Sequence, residues 1–283
     1  APPPGGRGAT KKTKPVGFRG PANWGGGGAR AAAAGGHAGE CIFANRTRSK
    51  AQELADELGV TDVADSNADA ARRAKFILLG VKPQMMAGVL AELAPVLKER
   101  KEGFVLVSMA AGLSIAALRQ MAGGEYPVIR IMPNTPCSIG KGMTLVTRSE
   151  NAAEADTDEL CMLLQKAGRF DFVDENLFDA GSAAAGCSPA WAYMFIEALA
   201  DGAVEAGLPR AKAMEYAAQA VYGAAAMVLE TGLHPGALKD AVTSPAGSTI
   251  AGVRALEERG FRGAAMSAVR AAVERTKEMG KAK

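Results

Sequence analysis

An open, mostly parallel α/β layer followed by an all-α C-terminal domain is the architecture this sequence predicts, and three observations predict it. Val16-Gly17-Phe18 runs into a glycine-rich turn, Gly20 to Gly28, then into the small residues Ala29 to Ala34 and a second apolar run, Cys41 to Ala44. Short apolar runs then recur, each closed by a loop of glycine, proline or asparagine. From Phe178 onward the composition turns to alanine-rich helix with no further strand signal. Strand, glycine turn, helix and strand make the opening unit of a Rossmann-like dinucleotide-binding domain, in which the turn lets a pyrophosphate approach the backbone at a helix N-terminus. A chain of 283 residues suits two domains. The expected division is a disordered leader over 1–15, a dinucleotide-binding domain over 16–175 and a helical domain over 176–283.

Composition narrows the function classes. The 33 basic and 30 acidic residues leave a net charge of only +3, which argues against nucleic acid or a membrane surface as the main partner. Two histidines and four scattered cysteines, Cys41, Cys137, Cys161 and Cys187, show no paired ligand spacing, so no metal site is expected. No apolar run is long enough to span a bilayer and no secretory core is visible. Free thiols then fit a reducing, cytoplasmic setting. The leader, rich in Pro, Gly, Lys and Thr, reads equally as a tag scar, a processed end or the remnant of an organelle-import peptide.

In chain order, the glycine turn Gly20-Pro21-Ala22-Asn23-Trp24-Gly25 follows the first strand. Ala22 replaces the middle glycine of the dinucleotide pattern and Pro21 lacks an amide donor. About twenty residues beyond such a turn an acid accepts from the ribose of NAD, whereas an arginine receives the 2′-phosphate of NADP. This chain carries Asn45-Arg46-Thr47-Arg48, with no carboxylate, and so points to NADPH, with NADH as the alternative. Ser49 to Leu58 reads as an amphipathic helix stopped by Gly59, Val60 to Val63 as a short strand and Ala68 to Ala74 as a helix. Phe76 to Leu79 is a buried parallel strand ending in Gly80-Val81-Lys82-Pro83. A helix from Gln84 to Leu97 precedes the strand Phe104 to Val107 and the small-residue loop Ser108 to Gly112, which contains Ala110 and Ala111. The strand Val128 to Ile131 ends in Met132-Pro133-Asn134-Thr135-Pro136, whose two prolines hold Asn134 rigid beside a strand end, either to bond a ribose or amide or to bond its own turn. Ligands in open α/β sheets collect at the carboxyl ends of strands, which is where these loops fall. Thr144 to Val146 and Arg169 to Val173 close the sheet, around a helix from Glu154 to Lys166.

The helical region holds the other candidate site. Val242-Thr243-Ser244-Pro245-Ala246-Gly247-Ser248-Thr249 breaks between two helices. The first amides of the second helix, with its positive dipole end, can seat a carboxylate beside the hydroxyls of Ser244, Ser248 and Thr249. The plainer reading is that Ser and Thr simply cap that helix.

Leu238, the run Val242 to Thr249, Gly252-Val253 and Leu256-Glu257 closely resemble the C-terminal signature of pyrroline-5-carboxylate reductases. Gly80-Val81-Lys82-Pro83 resembles the family's Ala-Val-Lys-Pro. Asn67 falls where the family has an asparagine near the adenosine side of its cofactor, and Glu175 resembles an acid bordering its proline site. Ala185-Gly186-Cys187-Ser188-Pro189-Ala190 departs from the family's Ser-Gly-Ser-Gly-Pro-Ala. The resemblance implies reduction of 1-pyrroline-5-carboxylate to L-proline and an all-α C-terminal dimerisation domain forming a homodimer, or a larger ring of dimers. It places the carboxylate on Ser244, Ala246, Gly247, Ser248 and Thr249, with Thr249 also bonding the ring nitrogen or relaying its proton. Two alternatives stand beside it: a β-hydroxyacid-dehydrogenase-like oxidoreductase, which would need a lysine on the long helix after Pro189, and a non-catalytic nucleotide-binding or scaffold protein.

Overall fold

The computed structural model describes residues 14–18, 25–45 and 47–281, and its contacts divide into two compact units. The first runs through Gly186 and includes Val273–Lys283, and the second is Cys187–Ala272.

In the first unit, among the described residues, seven strands form one sheet. They are β1 (Lys14–Phe18), β2 (Ile42–Ala44), β3 (Ala74–Leu79), β4 (Val105–Ser108), β5 (Val128–Met132), β6 (Gly142–Arg148) and β7 (Gly168–Phe172), in the order β2-β1-β3-β4-β5-β6-β7. All neighbours run parallel except β5 and β6. Phe18 pairs with Ala44, Leu79 with Ser108 and Ser108 with Arg130, so β1 to β5 finish on one edge. The chain steps to β2 on one side of β1 and to β3 on the other, which puts the switch point of the sheet between β1 and β3.

Helices α1 (Gly25–Ala34), α2 (Arg48–Leu58), α3 (Asn67–Arg73), α4 (Pro83–Glu99), α5 (Ile115–Ala122) and α6 (Glu154–Leu163) alternate with the strands. Their ends follow the residues: Gly59 closes α2 at φ 68°, and the Ser66 and Ser114 hydroxyls accept from Asp69 and Ala117 to cap α3 and α5. Buried Ala29, Ala31 and Ala32 give α1 the small face expected of a helix packed tightly on a sheet. Met86, Leu90, Leu93 and Leu97 form one buried stripe of α4 and join a cluster with Phe43, Phe76, Ile77 and Leu106. Each such side chain contributes about 1.5–3 kcal/mol by leaving water.

Two local expectations differ from the structure. Val60 to Val63 forms no strand: Val63 makes a single bridge to Phe43, because β2 is only three residues long and offers little more to pair with. The helical region also begins earlier than the change in composition, with α7 (Glu175–Gly181), whose Phe178 is buried with Met132 and Leu145. Gly181 lies so close to Leu145 that a Cβ would sit 2.6 Å from it. α7 therefore packs as part of the first unit, and the contacts divide after Gly186 rather than at 175. One π-helical turn, 182–187, carries the chain across that division.

The second unit is helical: α8 (Ser188–Glu205), α9 (Arg210–Thr231), α10 (Pro235–Ala241), α11 (Ser248–Glu258) and most of α12 (Phe261–Lys281). α8 and α9 meet through buried Ala200, Ala213 and Ala217.

The start of β7 is the tightest point of the sheet. Gly168 has φ 130° and ψ −135°, and a Cβ there would overlap the Gly142 backbone of β6. Backbone strain alone costs about 1–3 kcal/mol for a side chain in that region. Gly168→Ala is therefore expected to lower stability by at least that much, read as a fall in the urea midpoint at unchanged slope.

Candidate cofactor and substrate sites

The carboxyl edge of the sheet gathers several residues that the sequence singled out. Gly80 and Val81 are buried behind β3, and Lys82 is the exposed residue before α4, with Pro83 at the first helical position. Ala110 is buried and Ala111 half-buried in the loop after β4, where the Ala110 amide donates to Ser108 Oγ at 3.3 Å. Asn45 follows β2 and its Oδ1 accepts from the Thr47 amide at 3.3 Å, so it shapes the turn that leads to Thr47 before α2. Arg48 is paired with Asp65. Gly20, Asn23, Trp24 and Arg46 lie outside the described residues.

Asn67 is buried at the first turn of α3, where its Nδ2 donates to Glu92 at 3.3 Å and its Oδ1 has no partner. An orphaned buried acceptor at this edge fits a site that receives a donor group from a ligand.

Asn134 is engaged otherwise than expected. Its Nδ2 donates to the Ala185 carbonyl at 3.0 Å and its Oδ1 accepts from the Met143 amide at 2.9 Å. It neither closes its own turn nor presents a free amide: it ties β6 and the π-helical turn to the loop after β5. Glu175 is half-buried and carries two hydrogen bonds. Its Oε1 accepts from the Ile115 amide at 2.6 Å and from Arg130 Nη1 at 3.0 Å. Arg130 is only 3% exposed, with its guanidinium 4.3 Å from the Phe178 ring centre and Asp179 at 3.8 Å. Burial pulls the Arg130 pKa down, and the bond to Glu175 opposes that shift. Sequence reasoning passed over Arg130, although a lone charge inside the apolar run Val-Ile-Arg-Ile was a visible signal.

In the second unit the signature turn has a definite geometry. The Gly247 amide donates to the Ser244 carbonyl at 3.1 Å, with Pro245 second and Ala246 third in the turn. Ala246 has φ 60°, the one positive φ outside glycine among the described residues. Proline second and a positive φ third is the type II pattern, which favours glycine where this chain has alanine. Gly247 precedes α11 as its N-cap and makes no side-chain cap. A Cβ on Gly247 would overlap the Ser244 hydroxyl. Ser244, Ser248 and Thr249 are all exposed and none of them caps α11, so the plainer reading of those hydroxyls does not describe this turn. α10, which leads into it, is capped by His234, whose Nδ1 accepts from the Gly236 amide at 3.0 Å.

Residues 175–279 match the family model described as pyrroline-5-carboxylate reductase dimerisation, and residues 15–112 match the one described as NADP oxidoreductase coenzyme F420-dependent. The pyrroline-5-carboxylate reductase of Glycine max is 44% identical over 79% of this chain and 80% of its own length. That of Corynebacterium melassecola is 42% identical over 84% and 87%. The chain belongs to the pyrroline-5-carboxylate reductase family. The crystal structure of Plasmodium falciparum pyrroline carboxylate reductase with NADP bound matches the fold with a TM-score of 0.84 at 29% identity, covering 95% of this chain and 99% of that one. In this member of the pyrroline-5-carboxylate reductase family, the described residues hold no group of His, Cys, Asp or Glu able to bind a metal and no helix long and apolar enough to cross a membrane.

The strain at Ala246 can be tested directly. An L-residue in the left-handed region costs about 1–2 kcal/mol, more than the extra unfolded-state freedom of a glycine. Ala246→Gly is expected to raise stability by roughly 0.5–1 kcal/mol in urea unfolding, with the turn geometry kept.

Proposed function

We propose that the protein reduces the C=N bond of 1-pyrroline-5-carboxylate to give L-proline, with NADPH as the reductant. The observation that carries this reading is the exposed N-terminus of α11, uncapped by any side chain and flanked by three free-standing hydroxyls. Bound NADPH supplies the hydride that adds to the imine carbon. The amides at the start of α11 and the Ser244 hydroxyl hold the substrate carboxylate, aided by the helix dipole. Ala246 and Gly247 turn those amides outward, and Ser248 adds a donor beside them. Thr249 bonds the ring nitrogen or relays its proton, and a substrate that arrives as the iminium needs no histidine acid. Cys41 and Cys161 are pushed up to about 11 by burial, so they stay protonated at neutral pH and contribute no nucleophile.

For the cofactor, Gly20, Asn23 and Trp24 are assigned to its pyrophosphate, Asn67, Gly80, Val81, Lys82 and Pro83 border the ligand, and Ala110, Ala111 and Asn134 shape its nicotinamide end. Arg46, beside Asn45 and Thr47, receives the 2′-phosphate, since Arg48 is already paired with Asp65. A β-hydroxyacid dehydrogenase would need a lysine on α8, and α8 contains none. The second unit buries only Ala200, Ala213 and Ala217 as apolar side chains, while Tyr193, Met194, Tyr216, Met227 and Leu229 stand exposed. An apolar surface of that kind supports a homodimer, assembled further into a ring, through this domain. The proposed setting is the cytoplasm, or an organelle if residues 1–15 are an import remnant.

The deciding assay follows NADPH oxidation with 1-pyrroline-5-carboxylate and identifies proline as product; no oxidation would leave the scaffold reading. Thr249→Ala is expected to lose turnover by about 100-fold, the scale of a lost proton-transfer group, while NADPH still binds. Unchanged kinetics would remove Thr249 from the mechanism. Arg46→Ala should weaken NADPH about tenfold or more, the scale of a charge-assisted bond, and leave NADH little changed. Equal losses for both would refute the 2′-phosphate assignment.

A further inference from the structure

We propose that Arg130 and Glu175 form a positioning pair that fixes the loop after β4 for the cofactor, rather than Glu175 touching the substrate. Arg130 is register partner to Ser108, the last residue of β4, and Ser108 opens the loop through Ala110 and Ala111 to α5. One oxygen of Glu175 holds both Arg130 and the Ile115 amide, which is the first amide of α5. The carboxylate thus closes the far end of the loop onto β5 through a single oxygen.

Ala111 packs against the cluster of Met132, Leu145 and Phe178, and the Phe178 ring is the surface on which the Arg130 guanidinium lies. The loop is also held by α12. Gly112, at φ 75°, meets the last turns of α12 so closely that a Cβ would lie 2.7 Å from the Thr276 carbonyl. Two separate supports on six residues mark a loop whose position is determined by more than its own chain.

Stability alone does not account for the arginine. It is buried among apolar side chains, its charge is penalised by desolvation, and its Nε has no partner. An apolar residue would avoid both costs. What the pair supplies is a directed, charge-assisted bond that joins three elements, α5, α7 and β5, at one carboxylate oxygen.

The inference rests on the proposed cofactor role of Ala110 and Ala111, so wild-type turnover is measured first and separates failure of that reading from failure of this one. In an active wild-type background, Glu175→Gln keeps an acceptor for Ile115 and removes the charge opposite Arg130. The expected result is a severalfold rise in the NADPH dissociation constant and a fall in kcat of about tenfold, the scale of a small misplacement beside reacting groups, with KM for pyrroline-5-carboxylate near the wild-type value. Arg130→Lys should move the same two quantities in the same direction, and the double variant should show less than the summed losses. If Glu175→Gln does not fold, Arg130→Lys decides by the same readouts. A raised KM for pyrroline-5-carboxylate with unchanged NADPH affinity would make Glu175 a substrate ligand and overturn the proposal. Lowered thermal stability with wild-type affinities and kcat would overturn it too, leaving a structural pair.

Discussion

Five strands running parallel, β1 to β5, constrain most of what this chain can do. Parallel pairing forces every carboxyl end onto one edge, and the return of the chain to the other edge is made through helices and connecting segments. The residues free to differ from the apolar pattern are therefore those just past each strand: Asn45 after β2, Gly80 to Pro83 after β3, Ala110 and Ala111 after β4, Asn134 after β5. In open α/β sheets a switch point such as the one between β1 and β3 is where ligands bind, at the carboxyl ends of the strands. A chain with the same composition and antiparallel strands would scatter these loops over both ends of the sheet.

The two candidate sites use one physical device differently. A helix N-terminus has unpaired amides and a positive dipole end, and globular proteins usually spend a Ser, Thr, Asp or Asn side chain on it. Here α3, α5 and α10 are capped by Ser66, Ser114 and His234. α11 is preceded by Gly247 and, like α2, α4, α6, α7, α8 and α9, has no side-chain cap, although hydroxyls stand beside its start in the chain. Ala246 at φ 60° adds strain at the same turn. What sets this turn apart among the described residues is the strained alanine, which stands beside three exposed hydroxyls. Strain of that kind clusters at ligand sites, and at the carboxylate site proposed above a ligand would supply the acceptor that the α11 amides lack.

The order of strands and helices was legible because the apolar runs and their glycine, proline and serine boundaries act locally. Gly59 ends α2 and Pro83 begins α4 through backbone geometry that any reader of the sequence can apply. The signature turn was legible as a turn for the same reason. Side-chain destinations were not. Asn134 looked available because its flanking prolines are local, whereas its partners, Ala185 and Met143, are brought to it only by the tertiary fold. Glu175 was read only from its resemblance to an acid at the proline site, and the arginine that pairs with it is 45 positions away. Composition changes inside α7, at Phe178, whereas the contacts of Phe178 and Gly181 bind that helix to β5 and β6.

The second unit leaves a stability question that bears on function. Three buried alanines supply far less apolar burial than the cluster built around Phe43, Phe76 and α4 in the first unit. Short side chains let α8 and α9 approach closely, and the Phe195 and Phe261 rings, 5.6 Å apart, add one aromatic contact. That is little to set against the entropy of ordering so many residues. The exposed tyrosines, methionines and leucines are the reserve of apolar surface, and a proposed partner subunit that covered them would stabilise the helices that carry the Val242 to Thr249 turn. In such an assembly the fold of the proposed substrate turn and the association of subunits are one equilibrium, so dilution would weaken binding at that turn before it affected the sheet.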